Sequence, residues 1–562
     1  MGQKAKIERL EVTMDELEAI VERAAAGPLG DADRETLRAA FHTLFALADE
    51  LESKGASIRR LRKLLFGSGS EKLDAVLREI APLEAPAGAG PDGSSDRPDE
   101  HAARAEPPKR KAPGHGRNGA SAYRGATKVK IPHASLSPGK PCPSCQKGKV
   151  YGSVPPRLIV RIRGQAPLAA TVYALKRLRC NLCGEVFTAR PPPEVGAAKY
   201  DATAAAMIAL LKYGSGLPFH RLEGLQKGLG IPLPSATQWE IVRESAEKLK
   251  PVYRELLRQA AQGEVVHNDD TPMKILERMG KRWAKAVARG AVKASDHKAV
   301  STSGIVSRVA GHDVALFFTG PETAGRNLEK VLAERKAELE APIQMSDALS
   351  HNAADGADTI VAYCLAHGRR RFVDVAKSFP AECRHVLEVL RDVYQCDAEA
   401  REKGLSPAER LALHQEKSAP KMEELETWMQ EKLEKREIEP NSGLGEAIAY
   451  LQKHWAPLTL FLRAPGTPLD NNVCERALKK VILHRKNAMF YRSDEGARVG
   501  DLYLSLIYTA QLCDANPFEY LVSLQRNAEA AAASPGDWMP WSYRQARDRL
   551  ELPDPQPTAP DP

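Results

Sequence analysis

Leu37, Leu44, Leu51, Ile58 and Leu65 recur every seven residues, and Phe41, Leu47 and Leu61 thicken the stripe. A seven-residue apolar period predicts a coiled-coil helix and self-association as a homodimer or larger assembly. The alternative is a helix packed within its own chain, and Gly55 interrupts the pattern. The pattern turns helical again from Asp201. It predicts helices over 202–213 and 218–229, a turn at Gly230-Ile231-Pro232-Leu233-Pro234, and a third helix capped by Ser235 and running through Leu249. Helix, tight turn and helix fit a helix-turn-helix DNA reader, and equally an all-helical core.

Between Gly263 and Asp347 the period shortens. Strands are predicted at 264–267, 282–288, 303–309, 314–318 and 342–345, with one helix over 327–339, which makes a mixed α/β domain. A charged helical stretch follows over 357–462. Ala464-Pro465-Gly466-Thr467-Pro468 breaks it, and Cys474, Ala477, Leu478, Val481 and Ile482 then mark one more amphipathic helix.

Composition sharpens this picture in three places. The 562 residues suffice for several cores, and 43% hydrophobic content excludes a wholly disordered chain. No apolar run is long enough to span a bilayer, and Met1-Gly2-Gln3-Lys4-Ala5-Lys6 lacks the apolar run of a secretory signal, so a reducing, cytoplasmic compartment is expected. The net charge of +8 is concentrated. Arg104, Lys109, Arg110, Lys111, Arg117, Arg124, Lys128 and Lys130 oppose Glu106 alone, within a Pro-, Gly- and Ser-rich linker. Such an arm can neutralise DNA phosphates, Lys109, Arg110 and Lys111 foremost, or act only as a solubilising tether.

Cys142-Pro143-Ser144-Cys145 and Cys180-Asn181-Leu182-Cys183, separated by the β-rich 157–162, match a zinc ribbon. Four thiolates form a closed, structural Zn²⁺ site. Redox dithiols are the competing reading. Asp269 and Asp347 end predicted strands, and Glu475 lies on the late helix. Carboxylates so placed suit two Mg²⁺ ions in a phosphoryl displacement. Singly, each has a plain structural role: a turn at Asn268-Asp269-Asp270-Thr271-Pro272, a loop cap at Asp347, an ion pair of Glu475 with Lys479. Arg476, Lys479, Lys480, Arg485 and Lys486, followed by Arg492 and Arg498, form a basic run suited to a phosphate backbone, or a solvated helix face.

Together these blocks resemble the insertion sequence 66 family of DDE-type transposases. The blocks are Leu61-Arg62-Lys63-Leu64-Leu65-Phe66-Gly67 with Ser70-Glu71-Lys72-Leu73-Asp74, the four cysteines, Lys212-Tyr213, Leu217-Pro218 and Arg221. Further on stand Asp269-Asp270-Thr271-Pro272, Ser346-Asp347-Ala348, Cys364-Leu365-Ala366-His367-Gly368-Arg369-Arg370-Arg371-Phe372 and Asp470-Asn471-Asn472-Val473-Cys474-Glu475-Arg476-Ala477. Arg485-Lys486-Asn487 and Ser493-Asp494 extend the last block. Asp270 departs from the family's Asp-Glu-Thr-Pro and keeps its charge. Adjacent strand residues face opposite ways, so one of Asp269 and Asp270 meets the metal, and the resemblance selects Asp269.

The resemblance implies an RNase H-like catalytic core in a multidomain α+β chain. Its parts would be a helical, coiled-coil dimerisation region (1–81), a flexible basic linker (82–130), a zinc-binding domain (131–195) and a helix-turn-helix-like region (196–255). The core would occupy 256–356 and 463–552 around a helical insertion (357–462), ahead of a tail (553–562). It further implies binding of terminal inverted repeats and target double-stranded DNA, with cleavage and strand transfer at Asp269, Asp347 and Glu475. Two Mg²⁺ ions, or Mn²⁺ in their stead, would serve this chemistry, with small accessory proteins of the same element as partners. Cys364 and His367 read as structural or DNA-contacting rather than as zinc ligands. The alternative is a non-catalytic, zinc-containing DNA-binding protein derived from a transposase.

Overall fold

The computed structural model describes residues 135–151, 165–179, 186–192, 198–290 and 299–551, with six isolated positions between 20 and 36. The coiled-coil region, Lys109, Arg110 and Lys111, the stretch 157–162, Cys180 and Cys183 and the tail lie outside these residues. The described residues form two compact units, one made of Leu365–Leu469 and one in which residues up to Cys364 join those from Asp470 onward.

The second unit begins with two antiparallel pairings. Pro141 bridges Lys149, and β1 (Arg177–Arg179) pairs with β2 (Val186–Thr188). Three helices follow: α1 (Ala202–Ala209), continued by a π-helical turn Leu210–Gly214, α2 (Phe219–Gly228) and α3 (Ser235–Ala260). Ser235 does not cap α3. Pro234 holds that position, and the Ser235 N–H and hydroxyl both donate to Glu223 Oε2, at 3.0 and 2.5 Å, tying α2 to the start of α3. The helix also outruns its predicted end, passing through Pro251 because Leu249, Val252, Leu256 and Ala260 keep burying one face.

The sheet comprises β3 (Val265–Pro272), β4 (Ser301–Val309), β5 (His312–Gly320), β6 (Ile343–Ser346) and β7 (Ile360–Tyr363) in the order β5-β4-β3-β6-β7. The first three form an antiparallel meander, and β6 and β7 run parallel to β3. Between β3 and β4 lies α4 (Gly280–Ala288), a helix where the sequence predicted a strand. Trp283-Ala284-Lys285-Ala286-Val287 is apolar but for Lys285 and too short to separate the two periods. The predicted helix at 327–339 is shorter and earlier, as α5 (Ala324–Leu332). The predicted insertion begins late, because residues 360–363 are strand β7.

The other unit is helical: α6 (Leu365–Val375), α7 (Pro380–Glu402), α8 (Pro407–Lys417), α9 (Ala419–Glu434), α10 (Gly443–Lys453) and the single turn α11 (Trp455–Leu458). Its core holds one buried carboxylate, Asp397. Arg410 donates to Asp397 Oδ1 at 2.7 Å, and Arg401 and His414 lie at 3.3 and 3.4 Å. Burial alone would raise its pKa, yet these partners hold it below the usual carboxylate range.

The chain then re-enters the sheet unit as α12 (Asn472–Ala488), α13 (Asp494–Leu512), α14 (Pro517–Arg526), α15 (Ala528–Ala533) and α16 (Tyr543–Glu551). Helix α12 lies across β3 and β4. Gly304 permits this, since a Cβ there would stand 2.9 Å from Leu478 Cδ2. Helix α13 runs along the free edge of β5. Thr509 Oγ1 accepts from the Ala315 N–H at 3.0 Å, Ser505 Oγ from Phe317 at 3.0 Å, and Asp501 Oδ2 from Thr319 at 2.7 Å. Four helix residues rise about 6 Å and two strand residues about 6.6 Å, so the two repeats stay in step. The edge is thereby closed to other strands.

Two expectations follow. Gly304→Ala should destabilise the fold by about 1–3 kcal/mol, as overpacking does, measurable by urea unfolding; an unchanged midpoint would mean α12 yields freely. Burial outweighs the hydrogen bonds from Thr319 and pushes the Asp501 carboxyl up to about 7. A raised carboxyl stabilises fully below its unfolded pKa and loses that contribution as pH rises through its folded value. Asp501→Asn, with no proton to lose, should therefore gain stability relative to wild type between pH 5 and pH 8. Equal differences in melting temperature at both pH values would count against the burial argument.

Candidate active site

Strand β3 presents two chemically different faces. His267, Asp269 and Thr271 face α12: His267 Nδ1 lies 3.0 Å from Asn471 Oδ1, and Arg485 donates to Thr271 Oγ1 at 3.1 Å. Asn268 and Asp270 face the opposite layer. Asn268 Nδ2 donates to the Asn352 carbonyl at 2.8 Å, and His351 Nε2 lies 3.7 Å from Asp270 Oδ1. The alternation follows from the pleat and separates the two neighbouring aspartates.

Asp269 and Asp347 converge on one side chain. Asn352 Nδ2 donates to Asp347 Oδ1 in a short hydrogen bond and reaches Asp269 Oδ1 at 3.4 Å. Asn352 sits in the short turn Ser350–Asn352, which α5 approaches so closely that a Cβ at Gly325 would stand 1.8 Å from the Ala353 carbonyl oxygen. The turn is pinned further by Gln344 of β6, whose Nε2 donates to Asn352 O at 2.7 Å and to Asn268 Oδ1 at 3.0 Å. Burial pushes the Asp269 carboxyl up to about 6, and the neighbouring Asp347 carboxylate adds to the rise. Burial also raises Asp270.

Glu475 enters from α12. Asn471, immediately before that helix, donates from Nδ2 to the Asn268 carbonyl at 3.1 Å, while its N–H donates to Cys364 Sγ at 3.3 Å. Cys364 follows β7, and its own N–H donates to Ser346 O, next to Asp347, at 2.8 Å. A Glu475 carboxylate oxygen lies within 4.8 Å of Cys364 Sγ. Cys474, buried between the charges of Asp269 and Glu475, donates to the Gly304 carbonyl at 3.2 Å; burial and then those charges drive its thiol pKa far up. Asp269 in β3 and Asp347 just after β6 thus share Asn352, and Glu475 stands beside Cys364, which follows β7. His267 is driven down to about 4 by burial and stays neutral there. This offers an oxygen donor set suited to hard divalent cations.

The other expected residues divide. Arg476, Lys479 and Lys486 are exposed on α12, and Lys480 reaches over the Tyr508 ring at 5.7 Å. Arg485 braces β3 through Thr271 and the Pro272 carbonyl. The exposed charged residues early in α3 are Glu240, Glu244 and Glu247 against Arg243, Lys248 and Lys250, with Lys250 paired to Glu247. That stretch carries no net charge, whereas α12 exposes three cations, so α12 is the better candidate for backbone contact. Cys142 and Cys145 lie in a tight turn, with the Cys142 N–H donating to Gly148 O at 2.7 Å. Backbone N–H groups of Gly148 and Lys147 hold the Cys145 thiol below its ordinary pKa. Cys180 and Cys183 fall between β1 and β2. Sequence reasoning missed Asn268, Gln344, Asn352 and the supporting role of Asn471. Asn268 beside Asp269 and the pair Asn471-Asn472 after Asp470 were the available signal.

Among curated proteins, the chain is similar to three uncharacterized proteins of Sinorhizobium fredii (strain NBRC 101917 / NGR234). It is 28% identical to y4jD over 384 residues, 66% of this chain and 71% of the relative. It is 27% identical to y4hP over 358 residues, 61% of this chain and 62% of the relative. With y4qI the identity is 26% over 358 residues, and the chain again spans 62% of the relative. A family model described as Transposase IS66 family matches residues 198–499. That match runs from α1 into α13, through the sheet, the three carboxylates and the helical unit between them, over more than half of the chain: it belongs to the IS66 family of transposases.

Proposed function

We propose that the chain is a DDE-type transposase that binds the terminal inverted repeats of its element and catalyses metal-dependent cleavage and strand transfer. The observation that carries this reading is the convergence of Asp269 and Asp347 on Asn352, with the Asp269 carboxyl raised by burial beside a second carboxylate. A divalent cation offsets that electrostatic strain. The order of the five strands, with β4 alone running against β3, supports an RNase H-like core. Asp269, Asp347 and Glu475 would hold Mg²⁺, or Mn²⁺ in its place. Bound there, the ions lower the pKa of an attacking hydroxyl and stabilise the leaving oxygen.

The chain's own residues position and neutralise. Asn352 fixes the two aspartates, Asn471 sets the start of α12 and so the place of Glu475, and Arg476, Lys479 and Lys486 meet backbone phosphates. Water attacks the phosphodiester at the element's end, the P–O3′ bond breaks, and a free 3′-hydroxyl leaves. That hydroxyl then attacks a target phosphodiester and displaces a target 3′-hydroxyl, with no enzyme-linked intermediate. The two ends would be paired by a dimer or larger assembly, with accessory proteins of the element as further partners.

Asp269→Asn, Asp347→Asn and Glu475→Gln should each abolish cleavage of a duplex carrying the element's end while leaving binding largely intact. Asn352→Ala, which loosens the aspartates without removing a carboxylate, should slow cleavage by about 10–100-fold. A Glu475→Gln protein that cuts at the normal rate would leave the non-catalytic DNA-binding reading standing.

The cysteine pairs supply the second expectation. Backbone N–H groups aimed at Cys145 favour a thiolate, and four thiolates in two Cys-x-x-Cys pairs suit a structural Zn²⁺. Purified protein should release about one zinc per chain to a chelator, and Cys145→Ser should lower that content. Unchanged zinc content in Cys145→Ser would remove these thiols from the metal site.

A further inference from the structure

The turn that closes α12 presents a surface that the proposed chemistry does not use. Met489 has φ 67°, in the left-handed region that side chains other than glycine rarely enter. Its N–H donates to Arg485 O at 2.8 Å and ends the helix. The next residues pair with the segment after β3: Tyr491 N–H donates to Lys274 O and Leu276 N–H to Tyr491 O, both at 2.9 Å, around a parallel bridge between Ile275 and Tyr491. Ile275 and Tyr491 are buried, so alternation turns Lys274, Phe490 and Arg492 outward. Met489 is 66% exposed and Phe490 39%.

The rim of this apolar tip is cationic. Lys274, Lys486 and Arg492 are exposed and make no ion pair among the described residues. Two acids flank this rim: Asp494 pairs with Arg278 at 2.7 Å, and Glu277 Oε2 accepts from the Asp494 N–H at 3.1 Å. An apolar tip inside a cationic rim fits a nucleic acid, whose phosphates meet the rim and whose stacked bases admit Met or Phe between them. The tip lies fourteen residues beyond Glu475 on the same helix. At 1.5 Å per residue that is about 20 Å, or roughly six nucleotide steps.

We propose that Met489 and Phe490 form a wedge that inserts between base pairs about six nucleotides from the scissile phosphate, holding the duplex unstacked so that its end seats at the carboxylates. The proposal rests on the reading of α12 as the DNA-contacting helix of a DNA-cleaving enzyme. It makes the two residues positioning groups.

The test uses the full chain, with Ca²⁺ in place of Mg²⁺ so that binding is read without cutting. Duplexes carrying the element's end would hold 2-aminopurine at each position from about three to about nine nucleotides from the cut. Wild type should raise the fluorescence at one step, and Met489→Ala/Phe490→Ala should remove the rise. With Mg²⁺ the double variant should cut at least about tenfold more slowly on paired DNA, and a mismatch at that step should restore its rate, because an unpaired step needs no wedge. Rescue by a mismatch is a result that mere loss of folding cannot produce. Four results would overturn the wedge: wild-type cutting with no fluorescence change, a double variant that cuts normally, a mismatch that fails to rescue, or a double variant altered only in oligomeric state, which would assign the tip to a second copy of this chain. A wild-type protein that binds the end but never cuts it would overturn the functional reading itself, and this inference with it.

Discussion

Everything near the three carboxylates depends on how Asn268 is satisfied. Its side chain and carbonyl bond to Asn352, Gln344 and Asn471, so one buried residue ties β3, β6, the turn after β6 and the entry to α12. A buried amide left unpaired costs about 1–3 kcal/mol, which makes alternative placements of these elements expensive. Asp269 is one residue from this knot, Asp347 three beyond Gln344, and Glu475 four beyond Asn471. Fixing the neutral amides therefore fixes the charges.

The same arrangement resolves an electrostatic conflict. Two carboxylates brought to one amide repel each other, and burial sharpens the repulsion. The sheet turns Asp270 to the opposite face, toward His351, whose charge offsets part of the repulsion that Asp270 still exchanges with Asp269 and Asp347. Helix α12 comes close enough to supply Glu475 because Gly304, the strand partner of Asp269, has no side chain to keep it away. A glycine on β4 and an aspartate on β3 are thus two halves of one geometric requirement.

Much of this was readable from the residues. Strong periodicity marked α3 and α12, and the β-branched residues of β4 and the aliphatic and aromatic run of β5 marked those strands. The separation of Asp269 from Asp270 followed from the pleat. Short elements were not readable: Trp283-Ala284-Lys285-Ala286-Val287 fits either period, and the four residues of β7 disappear into a charged stretch. Nor were the polar contacts that hold the site. A sequence shows that Asn352 is an asparagine, but only folding shows that it stands between two aspartates 83 and 5 residues away. The Asp501, Ser505 and Thr509 stripe was hidden for a related reason, since small polar residues four apart look like a solvated face until a strand edge lies against them.

That stripe has a consequence for the order in which the protein is made. Thr319 and Asp501 are 182 residues apart. At about 5–20 residues per second, a ribosome takes roughly 10–40 s to cover that interval. Throughout it, the outer backbone of β5 has emerged while its cover has not, and the whole helical unit is synthesised in between. The nascent chain must therefore carry an open sheet edge for longer than most local folding takes. The charged, independently compact helical unit gives it something soluble to fold during the wait.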